Sequence, residues 1–293
     1  MIELRDLTVR YGDTVAVDDV SLDLHTGVVY GLLGRNGSGK TSLLGALASH
    51  RKPTTGTVVV DGAEAFENPA VMRATSFVGD TLDVLGQERV CQAVALAGWL
   101  RPTWDADYAA KLIELFGIDR RKRVQSLSRG QKSALGAVIG LAARAPLTIL
   151  DEVYLGMDAV ARTTFYRELL ADYLAHPRTI ILSTHLIDEV ADLFERVIII
   201  DRGRILLHEE ADDLRGRGAV VTGPAAAVEA FTVGRTVLAT RSVGGVRADT
   251  VYGRLEASEV TRGGAAGLTF GPVDLQELFI HLTSVAEVPD ERG

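Results

Sequence analysis

Apolar and polar residues alternate along the first part of the chain, over residues 2–9 and again over residues 15–24 after a turn at Gly12. A period of two is typical of a strand that buries one face, so each segment is predicted to be a half-exposed antiparallel strand. A further short strand is predicted at 57–60. The pattern predicts an antiparallel β subdomain at the N-terminus.

A second class of segment is almost entirely apolar. Such runs occur at 28–33, 147–150 and 180–182, and each is followed by glycine or by polar residues. Strands buried on both faces of a parallel sheet have this composition, and their carboxyl ends form the edge where α/β sheets bind ligands. We therefore predict an α/β fold built on a mainly parallel sheet.

Apolar residues recur at helical spacing in the middle of the chain, at 90–100, at 107–116 and again after Arg129. This spacing predicts a helical insert at about residues 85–142. The chain's single cysteine, Cys91, falls on the first of these helices, where we expect a small buried side chain rather than a reactive thiol.

The last part of the chain has short strand patterns joined by glycine-rich connections, followed by a helical pattern at 274–282. These features predict a small α+β domain at 215–293, after a larger domain at 1–214. The apolar stripe of the last helix fits packing on its own domain or docking in a partner's groove. We favour packing on its own domain.

Composition narrows the functions that need considering. The formal net charge is −8 and the pI is near 5.3, which argues against a dominant role in binding the nucleic-acid backbone. The sequence contains no run of about 18 to 20 apolar residues such as a membrane span needs. A strand pattern begins at once after Met1, without a basic segment or a signal-peptide core, so a cytoplasmic location is expected.

A glycine-rich segment between the apolar run at 28–33 and a helical pattern carries the clearest chemistry. Glycines at a strand-to-helix turn let successive N–H groups converge on a phosphate, which the helix N-terminus also attracts. Lys40 is predicted to reach the β- and γ-phosphates and the Thr41 hydroxyl to coordinate Mg²⁺. The predicted nucleotide-binding residues here are Gly34, Asn36, Gly37, Ser38, Gly39, Lys40, Thr41 and Ser42.

Polar side chains follow the two later apolar runs. Asp151 and Glu152 end one of them, where Asp151 can hold Mg²⁺ and Glu152 can orient or deprotonate a water that attacks the γ-phosphate. His185 ends the other and can bind the γ-phosphate or position that water, although a lone histidine is more often structural. Tyr11, at the end of the first strand, is placed to stack on the base.

Together and in this order, these motifs resemble the nucleotide-binding subunit of an ATP-binding cassette (ABC) transporter, over roughly residues 1–210. Tyr11 is similar to the aromatic base platform, 34–41 to the Walker A motif, 127–131 to the signature, 147–151 to Walker B and 155–158 to the D-loop. Glu152 matches the catalytic glutamate and His185 the switch histidine. The resemblance implies a P-loop NTPase core that binds ATP with Mg²⁺ and hydrolyses the ATP, with Glu152, His185 and Lys40 as the catalytic residues.

The resemblance also implies the partners. Two cassettes, identical or related, would close head to tail, and Ser128, Gly130 and Gln131 of one would bind the nucleotide held by the other. Separate transmembrane permease subunits would hold the chain at the cytoplasmic face of the membrane, and no nucleic-acid partner is expected. The C-terminal extension resembles those of drug- or antibiotic-export cassettes, so export is preferred to import.

Three positions depart from the family pattern. Asp80 stands where the glutamine of the Q-loop is usual, and its carboxylate could still approach Mg²⁺ through water. Arg129 replaces the middle glycine of the signature, and Val153 replaces a proline after the glutamate. No element required for hydrolysis is missing.

Two alternatives belong to other functional classes. A soluble ABC ATPase that acts on ribosomes or nucleic acid usually has two cassettes with a charged linker, or long coiled-coil insertions, and this chain has neither pattern. An inactive regulatory module is the other alternative, against which Glu152 and His185 argue.

Overall fold

The computed structural model describes residues 1–79 and 87–285 of the chain. Its contacts divide the chain into one unit of Met1–His185 with Asp192–Leu207, and another of Leu186–Ala191 with the part that begins at His208. The domain boundary at residue 215 stays a prediction. Asp80, at the predicted Q-loop position, lies outside the described residues. Within these ranges every helix is too short or too polar for a membrane span.

The strands up to residue 210 belong to two sheets. In chain order they are β1 (Ile2–Tyr11), β2 (Thr14–Leu24), β3 (Val29–Leu33), β4 (Thr55–Val60), β5 (Ala63–Glu64), β6 (Thr75–Val78), β7 (Leu147–Asp151), β8 (Thr179–Thr184), β9 (Arg196–Asp201) and β10 (Arg204–Glu210).

The first sheet is the predicted N-terminal antiparallel subdomain, with the strand order β2-β1-β4-β5. Strand β1 buries Ile2 and Leu4, and then Leu7 and Val9. The spacing of three between Leu4 and Leu7 comes from an irregularity at Asp6, which has φ +49° and shifts the register with β2. An extra residue of this kind lets both halves of the strand keep their apolar side chains on one face.

The second sheet has the order β10-β9-β3-β8-β7-β6. Strands β3, β9, β8, β7 and β6 pair in parallel, and β9 turns into β10 at the predicted Arg202-Gly203 turn. All residues of β3, β7 and β8 are buried, as the apolar runs predicted. The register sets Leu33 beside Thr184 and Asp151 beside Ser183. The carboxyl ends of the three central strands therefore lie at one edge of the sheet.

Helices of the first unit complete the α/β fold. They are α1 (Lys40–Leu47), α2 (Pro69–Ala74), α3 (Val90–Trp99), α4 (Ala106–Leu115), α5 (Arg129–Ala142) and α6 (Ala159–Ala175). Helices α3, α4 and α5 lie within the helical insert predicted at 85–142. The prediction for Cys91 was wrong, because its side chain is exposed while Val90, Ala93 and Val94 form the buried face of α3.

The second unit is a small α+β body. Its elements are α7 (Ile187–Val190), α8 (Ala211–Arg215), β11 (Gly218–Pro224), α9 (Ala225–Thr232), β12 (Thr236–Val243), β13 (Val246–Tyr252), α10 (Ala257–Ala265), β14 (Thr269–Gly271) and α11 (Leu275–Val285). Its antiparallel sheet has the order β12-β13-β11-β14, which with α9 and α10 gives a ferredoxin-like βαββαβ topology. Leu275 and Leu278 of α11 are buried, and α11 contacts α7, α8 and β12 of its own unit.

Candidate functional site

The loop between β3 and α1 has a shape that excludes side chains at two glycines. A Cβ atom built on Gly34 would lie 2.3 Å from Ser38 Oγ and 2.6 Å from the Ile200 carbonyl oxygen. At Gly39, which has φ +109°, the Cβ atom would lie 2.3 Å from the Ala16 carbonyl oxygen. Helix α1 begins directly after Gly39, so the unpaired N–H groups of its first turn face the loop. The loop therefore has the strand-to-helix geometry that the sequence predicted.

Lys40 is buried in this loop and points its ammonium group back over it. Its Nζ atom donates to the carbonyl oxygen of Gly34 at 2.8 Å and to that of Arg35 at 3.2 Å. It also lies 3.3 Å from Glu152 Oε1. The side chain is 5% exposed, so its charge acts with little screening by water.

Asp151 ends β7 as a buried carboxylate. Ser183 on the neighbouring strand β8 donates a short hydrogen bond to Asp151 Oδ1. Burial raises the pKa of the Asp151 carboxyl above its usual range, while hydrogen bonds from Ser183 and Thr41 act in the opposite direction. The structure thus brings together Thr41 and Asp151, the two described members of the predicted metal site.

Glu152 leaves the strand with a backbone conformation rare for a residue with a side chain, at φ +49°. Its N–H group donates to Ser183 Oγ at 3.1 Å. One carboxylate oxygen faces Lys40, and the other lies 3.4 Å from His185 Nδ1. Backbone strain of this kind persists only where the surroundings hold it, and it is common at functional sites. Through its two carboxylate oxygens, Glu152 thus contacts both Lys40 of the phosphate loop and His185 at the end of β8.

His185 also contacts a residue that the sequence did not indicate, Tyr154. The Tyr154 hydroxyl lies 3.0 Å from His185 Nδ1 and accepts a hydrogen bond from the His185 backbone N–H group at 3.1 Å. Tyr154 is 1% exposed. Nothing in the spacing of Val153-Tyr154-Leu155 signals this contact, because it depends on how β7 and β8 are placed side by side.

Tyr11 lies at the rim of a cavity of about 610 Å³ and is half exposed. The guanidinium group of Arg51 covers one face of its ring, and the Ser42 hydroxyl donates to the Tyr11 hydroxyl at 3.4 Å. A volume of this size is typical of a nucleotide-sized ligand site. Described residues that line the cavity are Tyr11, Thr14, Ala16, Asn36, Gly37, Gly39, Lys40, Thr41, Ser42, Asp151, Glu152 and Leu155.

The predicted signature residues lie elsewhere in the first unit and are not among the described residues that line this cavity. Ser128 caps α5, accepting from the Gln131 N–H group at 3.2 Å, while Gln131 Oε1 accepts from the Ser128 N–H group at 3.3 Å. A Cβ atom on Gly130 would lie 2.5 Å from the Gly156 carbonyl oxygen, and the methylene groups of Arg129 cover Gly156. The signature is therefore packed against the predicted D-loop.

The residues present fit ATP and Mg²⁺. Ser38 Oγ is buried with no hydrogen-bond partner among the described residues, and a phosphate oxygen would supply an acceptor. Converging N–H groups and a buried ammonium suit a polyphosphate. A hydroxyl and a carboxylate oxygen are ligands that Mg²⁺ uses beside the phosphates of its nucleotide. Sequence reasoning missed Ser183, Tyr154 and Arg51, which support the predicted residues from outside the motifs.

Comparisons with known proteins identify relatives of this chain. Residues 17–154 match the model of the ABC transporter family. A putative ABC transporter ATP-binding protein of Halobacterium salinarum is 36% identical over 231 residues, which cover 74% of this chain and 96% of that protein. The doxorubicin resistance ATP-binding protein DrrA of Mycobacterium tuberculosis is 30% identical over 212 residues, covering 70% and 64%. The methionine import ATP-binding protein MetN of Mesorhizobium japonicum is 30% identical over 216 residues, covering 70% and 59%.

Solved structures show the same fold. An ATP-binding subunit of an ABC transporter superposes with a TM-score of 0.66 at 23% identity, covering 73% of this chain and 92% of that one. A dimeric ATP-binding cassette in a post-hydrolysis state, bound to ADP and phosphate, gives a TM-score of 0.62 at 18% identity, covering 72% and 99%. The chain thus belongs to the ABC transporter family as an ATP-binding subunit, and it is an ABC-type ATPase.

Proposed function

We propose that this chain powers the export of a substrate through separate membrane-spanning subunits, bound to them at the cytoplasmic face of the membrane. The observation that carries the proposal is the position of Glu152, whose carboxylate lies within 3.4 Å of both Lys40 and His185. This is the grouping that ATP hydrolysis needs. Export is preferred to import because the C-terminal extension resembles those of drug- or antibiotic-export cassettes, and DrrA, a protein named for drug resistance, is among the relatives.

Hydrolysis uses these three side chains in different roles. Lys40 binds the β- and γ-phosphates, and its charge stabilises the negative charge that develops on the transferred phosphoryl group. Glu152 accepts a proton from the attacking water as the water oxygen bonds to the γ-phosphorus and the bond to the bridging oxygen breaks. His185 donates a hydrogen bond to the γ-phosphate. The products are ADP and phosphate.

Thr41 and Asp151 would hold Mg²⁺ in this scheme, and the ion would neutralise part of the phosphate charge when bound. Tyr11 stacks on the base, while 34–39 and Ser42 enclose the phosphates. Asp80, which stands where the family usually has the Q-loop glutamine, is proposed to approach the metal through water.

The signature is proposed to act on a second cassette. Ser128, Gly130 and Gln131 lie away from the cavity that holds Lys40, so they suit a nucleotide bound by a partner better than their own. A solved relative of the same fold is a dimer. We infer a head-to-tail pair, formed with a second copy or with a related cassette, in which each nucleotide lies between one chain's phosphate loop and the other's Ser128.

The substitution Glu152→Gln tests the catalytic part of the proposal. It keeps the shape of the side chain but removes the proton acceptor, so the variant should bind ATP, hydrolyse it scarcely and accumulate as an ATP-bound dimer. Light scattering during gel filtration reports the dimer, and phosphate release reports turnover. Glu64→Gln, at an exposed position on β5, is the matched control and should behave as the unmodified protein. Near-normal turnover by Glu152→Gln would remove Glu152 from this role.

Purification of the native protein tests the transport part. Co-purification from membranes with a multi-span protein, and ATP-dependent export by that complex in vesicles, would support the proposal. ATP-dependent transport of the substrate in the import direction would overturn the proposal that the complex is an exporter. Migration with ribosomes instead of membranes would overturn transport altogether.

A further inference from the structure

Tyr154 has no role in the proposed hydrolysis, yet its hydroxyl makes two contacts with a single residue of the site. It accepts from the His185 backbone N–H group at 3.1 Å and lies 3.0 Å from Nδ1 of the same residue. We propose that Tyr154 is a positioning residue, which donates its hydroxyl hydrogen to His185 Nδ1 and so leaves the hydrogen of the neutral imidazole on Nε2. This inference rests on the proposed role of His185.

One oxygen atom in contact with both the backbone and the ring of His185 restricts how the ring can turn. The Tyr154 side chain is itself fixed, since it is buried and packs against Tyr166 on α6, with 6.4 Å between the centres of the two rings. Its backbone is held by a turn in which the Tyr154 carbonyl oxygen accepts from the Met157 N–H group at 3.0 Å. A rigid donor of this kind orients a histidine as carboxylates and carbonyls orient metal-bound histidines.

The position of the hydrogen matters because Glu152 Oε2 lies 3.4 Å from the same Nδ1 atom. An imidazole that carries its hydrogen on Nδ1 can donate a hydrogen bond to Glu152. That hydrogen bond would occupy a lone pair of the carboxylate that the attacking water needs. Donation from Tyr154 makes Nδ1 an acceptor and keeps the Glu152 carboxylate available to the water. It also makes Nε2–H a donor, which binds a phosphate oxygen while the ring is neutral.

The tautomer can be measured on the unmodified protein without nucleotide. The chain has six histidines, so selective ¹⁵N-histidine labelling gives a spectrum in which His185 is assigned by comparison with His185→Gln. The expected result is a protonated Nε2 and an unprotonated Nδ1 for His185. A protonated Nδ1 in the unmodified protein would overturn the proposal. This measurement does not depend on any Tyr154 variant folding correctly.

Tyr154→Phe then removes only the hydroxyl. In this variant the hydrogen of His185 should move to Nδ1, and kcat for ATP should fall about fivefold to tenfold, the kinetic equivalent of one lost hydrogen bond. KM for ATP should stay within about twofold, because the contact orients a group used in the reaction rather than in binding. An unchanged kcat, or a kcat loss with no change in the His185 signals, would contradict the assignment.

Tyr166→Phe is the matched control, because it removes another buried hydroxyl from the adjacent ring. We expect it to leave kcat and the His185 signals unchanged, and an equal loss in this variant would overturn a specific role for Tyr154. His185→Ala separates the two proposals. If it hydrolyses ATP normally, the proposed role of His185 fails; if it loses turnover while Tyr154→Phe keeps it, only the inference about Tyr154 fails.

Discussion

The guanidinium carbon of Arg51 lies 3.6 Å from the centre of the Tyr11 ring. Arg51 is anchored there by a hydrogen bond from its Nη2 atom to the Arg10 carbonyl oxygen at 2.8 Å. A cation on one face of an aromatic ring holds it by electrostatic attraction and leaves the other face for a second planar group. Tyr11 is therefore a fixed platform with one face covered by Arg51, and the adenine base is proposed to stack on the opposite face.

The platform predicts that Tyr11→Ala weakens ATP binding about tenfold, because stacking of one base on an aromatic ring contributes about 1–3 kcal/mol. Arg51→Ala should weaken it less, about twofold to fivefold, since it loosens the ring without removing it. Isothermal titration measures both affinities. Inorganic tripolyphosphate, which has no base, serves as the control ligand. An equal loss of tripolyphosphate affinity in Tyr11→Ala would mean that Tyr11 shapes the phosphate loop instead.

Glycines of the phosphate loop and of α1 predict opposite effects of the same substitution. Gly39→Ala should abolish ATP binding and lower the unfolding temperature, because its Cβ atom would lie 2.3 Å from the Ala16 carbonyl oxygen at φ +109°. Gly45→Ala should instead raise the free energy of unfolding by about 0.5–1 kcal/mol, since Gly45 is inside α1 with open space around its Cβ position. Thermal unfolding and ATP titration distinguish the two. Retained ATP affinity in Gly39→Ala would contradict the predicted clash with the Ala16 carbonyl oxygen.

Elements with a strong local signal could be predicted from the sequence. Strands β3, β7 and β8 each contain a mainly apolar run, and the glycine spacing of 34–39 constrains the backbone locally. The central sheet and the phosphate loop therefore follow from the order of residues. The α9 and α10 helices and strand β14 were not predicted. Their segments are rich in alanine and glycine, and they become regular only through packing in the βαββαβ arrangement.

The residues that support the site show the same limit of prediction from sequence. Asp151, Glu152 and His185 could be named because each ends an apolar run, at the edge where a parallel sheet binds ligands. Ser183 and Tyr154 could not, since their contacts depend on the register of β7 with β8, in which Asp151 lies beside Ser183. Spacing along one strand does not give the register with its neighbour.

Asp188 in the second unit predicts a pH effect on stability. Its pKa rises from 3.8 to about 6, first because burial disfavours the charge, and then because it shares a hydrogen bond with Asp274 and lies near the charge of Glu277, with Arg241 acting in the opposite direction. The folded state therefore binds more protons between about pH 4 and pH 6, so the free energy of unfolding falls as pH rises through this window.

Asp188→Asn should accordingly stabilise the protein at pH 7.5 and lose this effect near pH 4. The gain should stay below about 1 kcal/mol, because Asp188 is only slightly buried and solvent still screens most of its charge. Thermal unfolding across this pH range measures it. Asp213→Asn, at an exposed position on α8, is the control. Equal stabilisation by both substitutions would mean that net charge, not the contact with Asp274, is responsible.

Mixing two inactive variants tests whether Ser128 serves a second chain. With the proposed roles, a Lys40→Ala chain should lose its own phosphate binding but still present Ser128. A Ser128→Glu chain should keep Lys40 and repel the partner's γ-phosphate. In a two-fold symmetric pair with head-to-tail sites, half of the dimers in an equal mixture are mixed, and each has one intact site, so phosphate release should recover to about a quarter of normal. If Ser128 acted on its own chain's nucleotide, every site would carry a lesion and the mixture would stay inactive. Recovery therefore requires a site shared between chains.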